Sequence, residues 1–581
     1  MKRGSFTFVL HCHLPYVINH GQWPHGTDWL YEAAVETYIP LLRELRAVTE
    51  EGIQPAVTLN ITPVLMEQLA HPRFKEGLKT YLQEKIEAAD FDLTHFTELK
   101  QPHLADLASL WVRFYSEIKE SFAELGGDIL AGFNELSQGR SGAKLEIMTS
   151  GATHGYFPLL GTDESIIAQV ATGVRTFKKH MGYRPRGFWL PECAYRPAYE
   201  WSPPPGTVVH REGDHRLRLG IEEILFDNDL EYFIVDKHLI MGGMNQGIYV
   251  DRFSPLKSLW SNFSRGWNPP PEIENRSLLR PYLVSSTGTE RAVAVFGRHE
   301  ESALQVWSAE WGYPGNPAYL EFHKKHFPSG LKYWRVTGND VNLGDKDFYE
   351  PDWVEAALEE QAEHYVDLIG RHLDDHRESS GETGMLTAPF DAELFGHWWF
   401  EGPKWLGKIL RKLPEKGISP TTCGNYLDAH PPREVISLPE GSWGKGGFHY
   451  IWLNESTEWT WKEIYAREER FRELVDKWKG DIEPVMQRLL KQMARELLLL
   501  EASDWQFLIS TWSAKDYAED RVAVHAQRFD ELDAILNTYQ SEGMVSDYSL
   551  HNLSFLENED SLFDEIDISK WGHTGRDEAS S

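Results

Sequence analysis

Short apolar runs alternate with amphipathic stretches along the first four-fifths of the chain. Phe6-Thr7-Phe8-Val9-Leu10, Ala56-Val57-Thr58-Leu59, Leu145-Glu146-Ile147-Met148 and Gly187-Phe188-Trp189-Leu190 read as strands. So do Ile224-Leu225-Phe226, Tyr232-Phe233-Ile234-Val235, Ala292-Val293-Ala294-Val295-Phe296 and Gly384-Met385-Leu386-Thr387. Runs this continuously apolar suit parallel strands covered on both faces. Helical patterns lie between them. Thr162 is a candidate N-cap ahead of Asp163 and Glu164, and Leu358, Ala362, Tyr365 and Ile369 recur at helical spacing. The βαβα order predicts an α/β barrel or a doubly wound sheet. No G-x-G-x-x-G or P-loop occurs, which favours the barrel.

From about residue 455 the pattern changes to long helices. Ile464, Phe471, Val475 and Trp478 mark one stripe, Met486, Leu490, Met493, Leu497 and Leu500 a second, and Val522, Ala526, Phe529, Leu532 and Leu536 a third. This predicts a helical bundle on the barrel. Between Tyr199 and Phe296 the composition shifts: Trp201-Ser-Pro-Pro-Pro and Trp267-Asn-Pro-Pro-Pro share one pattern, each with an exposed-looking Trp on a stiff backbone. So long an interruption of an α/β repeat reads as a functional lid. The expected organisation is a barrel over 1–198 and 291–425, an insert with a lid loop over 199–290, a helical domain over 426–556 and an acidic tail over 557–581. Phe563, Ile566 and Trp571 are the tail's candidate anchors.

Composition narrows the function. The 581 residues carry 58 Lys and Arg against 89 Asp and Glu, a formal net charge of −31, which argues against a nucleic-acid or membrane-surface partner. Three cysteines with no CxxC pair support neither a zinc knuckle nor a disulfide framework. The N-terminus runs into a strand-like stretch without a signal-peptide pattern, so the expected compartment is the cytoplasm. With 22 Trp, 23 Tyr and 28 Phe, the chain has the flat apolar faces that a sugar-binding groove uses, although a large aromatic core would use them too.

Three motifs carry chemistry. His11-Cys12-His13 ends the first strand, and period two places Thr7, Val9, His11 and His13 on one face, at the mouth where barrels keep their active sites. H-x-H is also how metallohydrolases present two ligands, which keeps a metal-dependent deacetylase or amidohydrolase open. Trp189-Leu-Pro-Glu192-Cys-Ala-Tyr-Arg196 puts a carboxylate after a strand, with Arg196 placed to hold it ionised. Pro389-Phe-Asp391-Ala-Glu-Leu-Phe-Gly-His-Trp398-Trp399 puts a second carboxylate among aromatics. Two carboxylates in unlike environments are what glycoside hydrolysis needs.

With His11–Tyr16, Thr149–His154, Trp189–Tyr195, Ala388–Trp399 and Ala502–Phe507 in this order, the chain resembles glycoside hydrolase family 57 from Phe6 to about Phe529. Val295–Arg298, Gln305–Ser308 and Gly312–Gly315 make it most similar to the family's 1,4-α-glucan branching members. The resemblance implies a seven-stranded (β/α) barrel with an inserted small domain and a C-terminal helical domain. It implies a retaining double displacement on α-1,4-glucan, with Glu192 as nucleophile and Asp391 as general acid/base, and transfer to a 6-hydroxyl. The two carboxyl groups should then lie roughly 5–5.5 Å apart. By the same resemblance His11, His13 and His154 line the subsite of the attacked sugar, and no metal or cofactor is required. Trp23, Trp307, Trp443 and Trp452 match groove tryptophans that stack on glucose, with Trp398 beside Asp391. Arg298 lines the groove, and Asp504 either reaches the barrel from the helical domain or forms a structural ion pair. Tyr249 is the candidate lid tyrosine over the acceptor side. The passage from Arg252 to Thr289 looks longer than the family's usual link, and a lid that excludes water poorly leaves hydrolysis competitive. An α-amylase or 4-α-glucanotransferase on the same barrel is the near alternative, and a non-catalytic glucan-binding protein a further one.

Overall fold

The structure is a computed structural model that describes residues 2–138, 145–207, 216–245, 250, 252–288, 290–308, 311–478 and 482–572. Among the described residues, seven parallel strands surround the core: β1 (Gly4–Cys12), β2 (Thr58–Ile61), β3 (Glu146–Ser150), β4 (Gly187–Trp189), β5 (Tyr232–Val235), β6 (Val293–Gly297) and β7 (Met385–Asp391). They run in the order β7-β1-β2-β3-β4-β5-β6. At the β6–β7 seam, His299 N–H donates to the Thr387 carbonyl at 3.2 Å. Tyr282–Val284 runs antiparallel beside β6, and Met385 N–H is taken up by the Leu279 carbonyl. The sheet therefore curls into the expected barrel. β1 is central because Phe6, Phe8, Val9 and Leu10 are all buried and the strand is paired on both sides.

The register decides where the chemistry lies. His11 pairs with Asp391 of β7 on one side and with Asn60 of β2 on the other, while Ser150 of β3 pairs with Trp189 of β4. The C-terminal strand ends are thereby brought level at one mouth. The helix after β3 is capped as its sequence predicts: Thr162 Oγ1 accepts from Ser165 N–H, and left-handed Gly182 ends it.

Two local expectations are corrected. Ile224-Leu225-Phe226 is not a strand but part of the helix Ile221–Asp227. Glu223 accepts from Gly220 N–H, and Ile221, Ile224 and Leu225 at i, i+3, i+4 bury one helical face. Trp201 of the first proline motif is buried against Tyr465 with Arg218 over its ring, because the paired strands Tyr199–Trp201 and Arg216–Arg218 pack against the helix Glu458–Lys477. Within 199–290 lies the barrel strand β5, so this stretch supplies framework as well as the helix Ser254–Phe263, which carries Trp260 and Phe263 onto Tyr450.

Helices Glu458–Lys477, Pro484–Leu500, Asp504–Thr511 and Lys515–Glu542 form the C-terminal bundle. The acidic tail, over its described residues, is docked rather than loose. Phe563, Ile566 and Trp571 are buried, Trp571 packs edge-on to Phe471, and Asp560 takes hydrogen bonds from His20 and Arg528. Among the described residues no helix is long and apolar enough to cross a membrane.

Candidate active site

The mouth gathers side chains from several strand ends and from the bundle. Glu192 follows β4 in a tight turn with φ 58°, and Cys193 and His154 are also left-handed, at 48° and 61°. Left-handed backbone is uncommon for residues with a Cβ and concentrates at functional sites. The turn is held by Trp443 N–H, which donates to the Glu192 carbonyl at 3.1 Å. The same Trp443 donates its indole N–H to Glu192 Oε2 at 2.7 Å, and Ser503 Oγ lies 3.5 Å from Oε1. Glu192 is buried, and its pKa is pushed up to about 8. Burial is the main cause, opposed by the Trp443 bond and reinforced by the charges of Asp391 and Asp504.

Arg196 does not hold Glu192 ionised as expected. Its guanidinium turns to Asp163 (3.3 Å) and lies over the Tyr199 ring, since Asp163 also anchors Arg218 and draws both cations to one buried cluster. Donors from Trp443 and Ser503 replace it.

Asp391 ends β7 beside His11. His11 stacks on Trp189 (4.5 Å), and His13 stacks on His154 (4.1 Å). Asn60 fixes the His11 tautomer: its Nδ2 donates to the Met148 carbonyl, so its Oδ1 accepts from His11 Nδ1 at 2.6 Å. His13 Nε2 bonds Asp504 at 3.0 Å, and its Nδ1 bonds Thr62 Oγ1. His154 Nδ1 bonds Ser503, whose N–H donates to the His154 carbonyl, while His154 Nε2 is buried with no protein partner. Asp504 thus does reach the barrel. Burial lowers the pKa of His11 and His154, helped by neighbouring imidazoles, and keeps them neutral. His13, His154 and Asp504 each offer a ligand atom within 4.8 Å of the others, so the metal reading would use His154 rather than His11 as its second histidine. His11 has its Nδ1 committed to Asn60.

Two groups escaped the sequence reading. Glu393, two residues after Asp391, is buried; its Oε1 accepts from Tyr38 OH (2.5 Å) and His13 N–H (3.1 Å), and burial raises its pKa to about 8. Tyr38 closes a π-helical turn, Ala34–Tyr38, that also presents Glu36 and Thr37 to His397. This turn braces the loop carrying Asp391 from behind, a common place for a π-bulge. Glu393 stood inside a recognised motif, but Tyr38 had no local signal.

The predicted tryptophans divide. Trp398 is 36% exposed beside buried Trp307, 6.0 Å between rings. Trp23 is 80% exposed on the loop after β1. Trp443 is a buried hydrogen-bond donor whose ring lies under Arg298; Arg298 in turn pairs with Asp236. Trp452 is fully buried and stacked on Tyr156 at 4.4 Å, so in this structure it supports the wall rather than offering a face to sugar. Tyr249 lies outside the described residues.

A curled parallel barrel with buried carboxylates, neutral histidines and aromatic rings at its mouth is the frame of a carbohydrate-processing enzyme. Residues 7–439 match the model of glycosyl hydrolase family 57, and the chain belongs to that family. Residues 463–571 match the model described as 1,4-alpha-glucan branching enzyme, C-terminal. A 1,4-alpha-glucan branching enzyme of Thermococcus kodakarensis is 42% identical over 562 residues, 97% of this chain and 77% of that protein. The crystal structure of a family 57 branching enzyme from Pyrococcus horikoshii has a TM-score of 0.86 at 39% identity, covering 98% of this chain and 97% of that one. That of an alpha-amylase from Thermotoga maritima has a TM-score of 0.79 at 29% identity, covering 98% and 99%.

Proposed function

We propose that the protein is a 1,4-α-glucan branching enzyme working by double displacement. Glu192 attacks the anomeric carbon of an α-1,4 bond while Asp391 protonates the departing oxygen. Asp391 then takes the proton of an incoming 6-hydroxyl, which displaces Glu192 and leaves an α-1,6 branch; two inversions give net retention. The observation that carries the reading is the meeting of Glu192 and Asp391 at one mouth, near enough for Asp391 to raise the Glu192 pKa, with Trp443 donating to the attacking carboxyl. His11, His13 and His154 face the attacked sugar, and Asp504 and Ser503 complete that subsite from the bundle. Trp23 and Trp398 supply apolar surface along the groove, with buried Trp307 packed behind Trp398. Likeness to the amylase favours hydrolysis as the second reading, with water replacing the acceptor.

Amylose incubated with the purified protein tests both. New α-1,6 linkages, counted after debranching, should far exceed new reducing ends, and Glu192→Gln should lower turnover by several orders of magnitude. Reducing ends without branches would make it a hydrolase. Loss of turnover on chelation would revive the metal reading.

A further inference from the structure

We propose that Trp512 is an aromatic platform carrying the distal part of the α-glucan chain, an inference that rests on the function proposed above. Helix Asp504–Thr511 begins in the catalytic centre: Asp504 bonds His13, and Ser503, its N-cap, lies against Glu192. Eight residues at 1.5 Å each carry it about 12 Å outward. Trp512 stands at its far end, 68% exposed, as the C-cap with φ 60° and ψ 18°. That position is one where glycine or asparagine normally serves, because a Cβ is disfavoured in left-handed backbone. For helix stability an exposed, left-handed tryptophan is a poor choice on both counts. Backbone outliers of this kind persist where the surroundings over-determine them, typically at ligand clamps.

The surroundings do so here. Thr511 Oγ1 donates to the Phe507 carbonyl and bonds Ser513 Oγ, both at 2.8 Å, and Asn454 Nδ2 donates to Ser510 Oγ at 2.8 Å. The helix touches the groove's other walls as well. Phe507 meets Phe253 at the start of helix Ser254–Phe263 (5.9 Å). Tyr517, five residues past Trp512, donates to the His20 carbonyl and packs against His25, which ties in the loop that displays Trp23. The helix thus joins Glu192 and His13 to a flat, solvent-facing indole about 12 Å further out. The occupant that fits an exposed apolar plane at the far end of this helix is the C–H face of a glucose unit in the same chain.

The test uses the full chain carrying Glu192→Gln, which holds glucan without consuming it, with and without Trp512→Gly. Glycine suits the left-handed cap, so the double variant should melt no lower than its parent. Its calorimetric Kd for amylose should be about ten-fold weaker, roughly the scale of one lost stacking contact, while its Kd for maltotriose changes far less. Equal amylose affinity would overturn the inference and leave the branching reading intact, as would a change confined to oligomeric state. A lower Tm with both affinities weakened alike would make Trp512 structural. If the Glu192→Gln parent bound no amylose, both readings would fall.

Discussion

Replacing Glu192 by glutamine should make the protein more stable, and increasingly so as pH rises. In the native chain this carboxyl is buried between Asp391 and Asp504, with a pKa near 8 against an ordinary value of 4.5. A carboxyl whose folded pKa lies above its unfolded value binds more protons in the native state across that interval. Stability is therefore lost as pH rises through it, and the loss is complete above about 8. At about 1.4 kcal/mol per unit, the interval amounts to about 5 kcal/mol by pH 8.5, and about 3 kcal/mol at pH 7. Glutamine keeps an oxygen for the Trp443 indole N–H but never ionises, so the variant escapes the whole penalty. Thermal unfolding of both proteins from pH 4.5 to 9 reads the effect: their Tm values should nearly coincide at the acid end and separate steadily above it. A gap that stayed constant with pH, or narrowed, would refute the argument that burial holds this carboxyl protonated.

Trp443→Phe keeps the ring and removes the donor to Glu192. A hydrogen bond to a charged group contributes about 1.5–3 kcal/mol, so kcat/KM should fall roughly 10- to 100-fold. Because that bond lowers the Glu192 pKa, the acidic limb of the pH–rate profile should also move to higher pH. Tyr38→Phe leaves buried Glu393 without its phenol partner, at about 1–3 kcal/mol, and loosens the loop behind Asp391; kcat should drop more than KM, with the pH profile displaced. Trp571→Ala empties a fully buried site against Phe471, which costs about 3–5 kcal/mol and should show as a lower Tm with branching activity retained at 25 °C.

The barrel was legible because its strands are apolar throughout and its strand-end motifs are local. His11, His13, Glu192 and Asp391 each lie within a few residues of the strand that places them, so period-two alternation and the barrel rule were enough to bring them together. Arg196 was misread by the same local reasoning. It stands four positions after Glu192, but the left-handed turn at Glu192 and Cys193 sends the chain away, and Asp163 competes for the guanidinium. Nor could sequence spacing reveal the donors to Glu192, since Trp443 is 251 residues away and Ser503 is 311. Trp452 carried the right residue type for a sugar face, but Tyr156 covers its ring. Ile224–Phe226 shows the usual ambiguity of a three-residue apolar run, resolved only by the capping glutamate at 223.

The corrected positions of the arginines bear on the chemistry itself. Arg196 is directed to Asp163 and Arg298 to Asp236, while His11 and His154 are held neutral by burial. Glu192, Asp391, Glu393 and Asp504 meanwhile converge on one mouth of the barrel. Cations that could neutralise the centre are thus balanced by carboxylates outside it, and the centre is left rich in acids. In the proposed displacement the reacting sugar passes through an oxocarbenium-like state, in which positive charge develops on the ring. A buried, acid-rich pocket is poorly suited to stabilising itself, and the raised pKa of Glu192 is the measure of that. It is well suited to stabilising a transient cation, because positive charge forming beside carboxyl groups that are already fixed in place favours their ionisation.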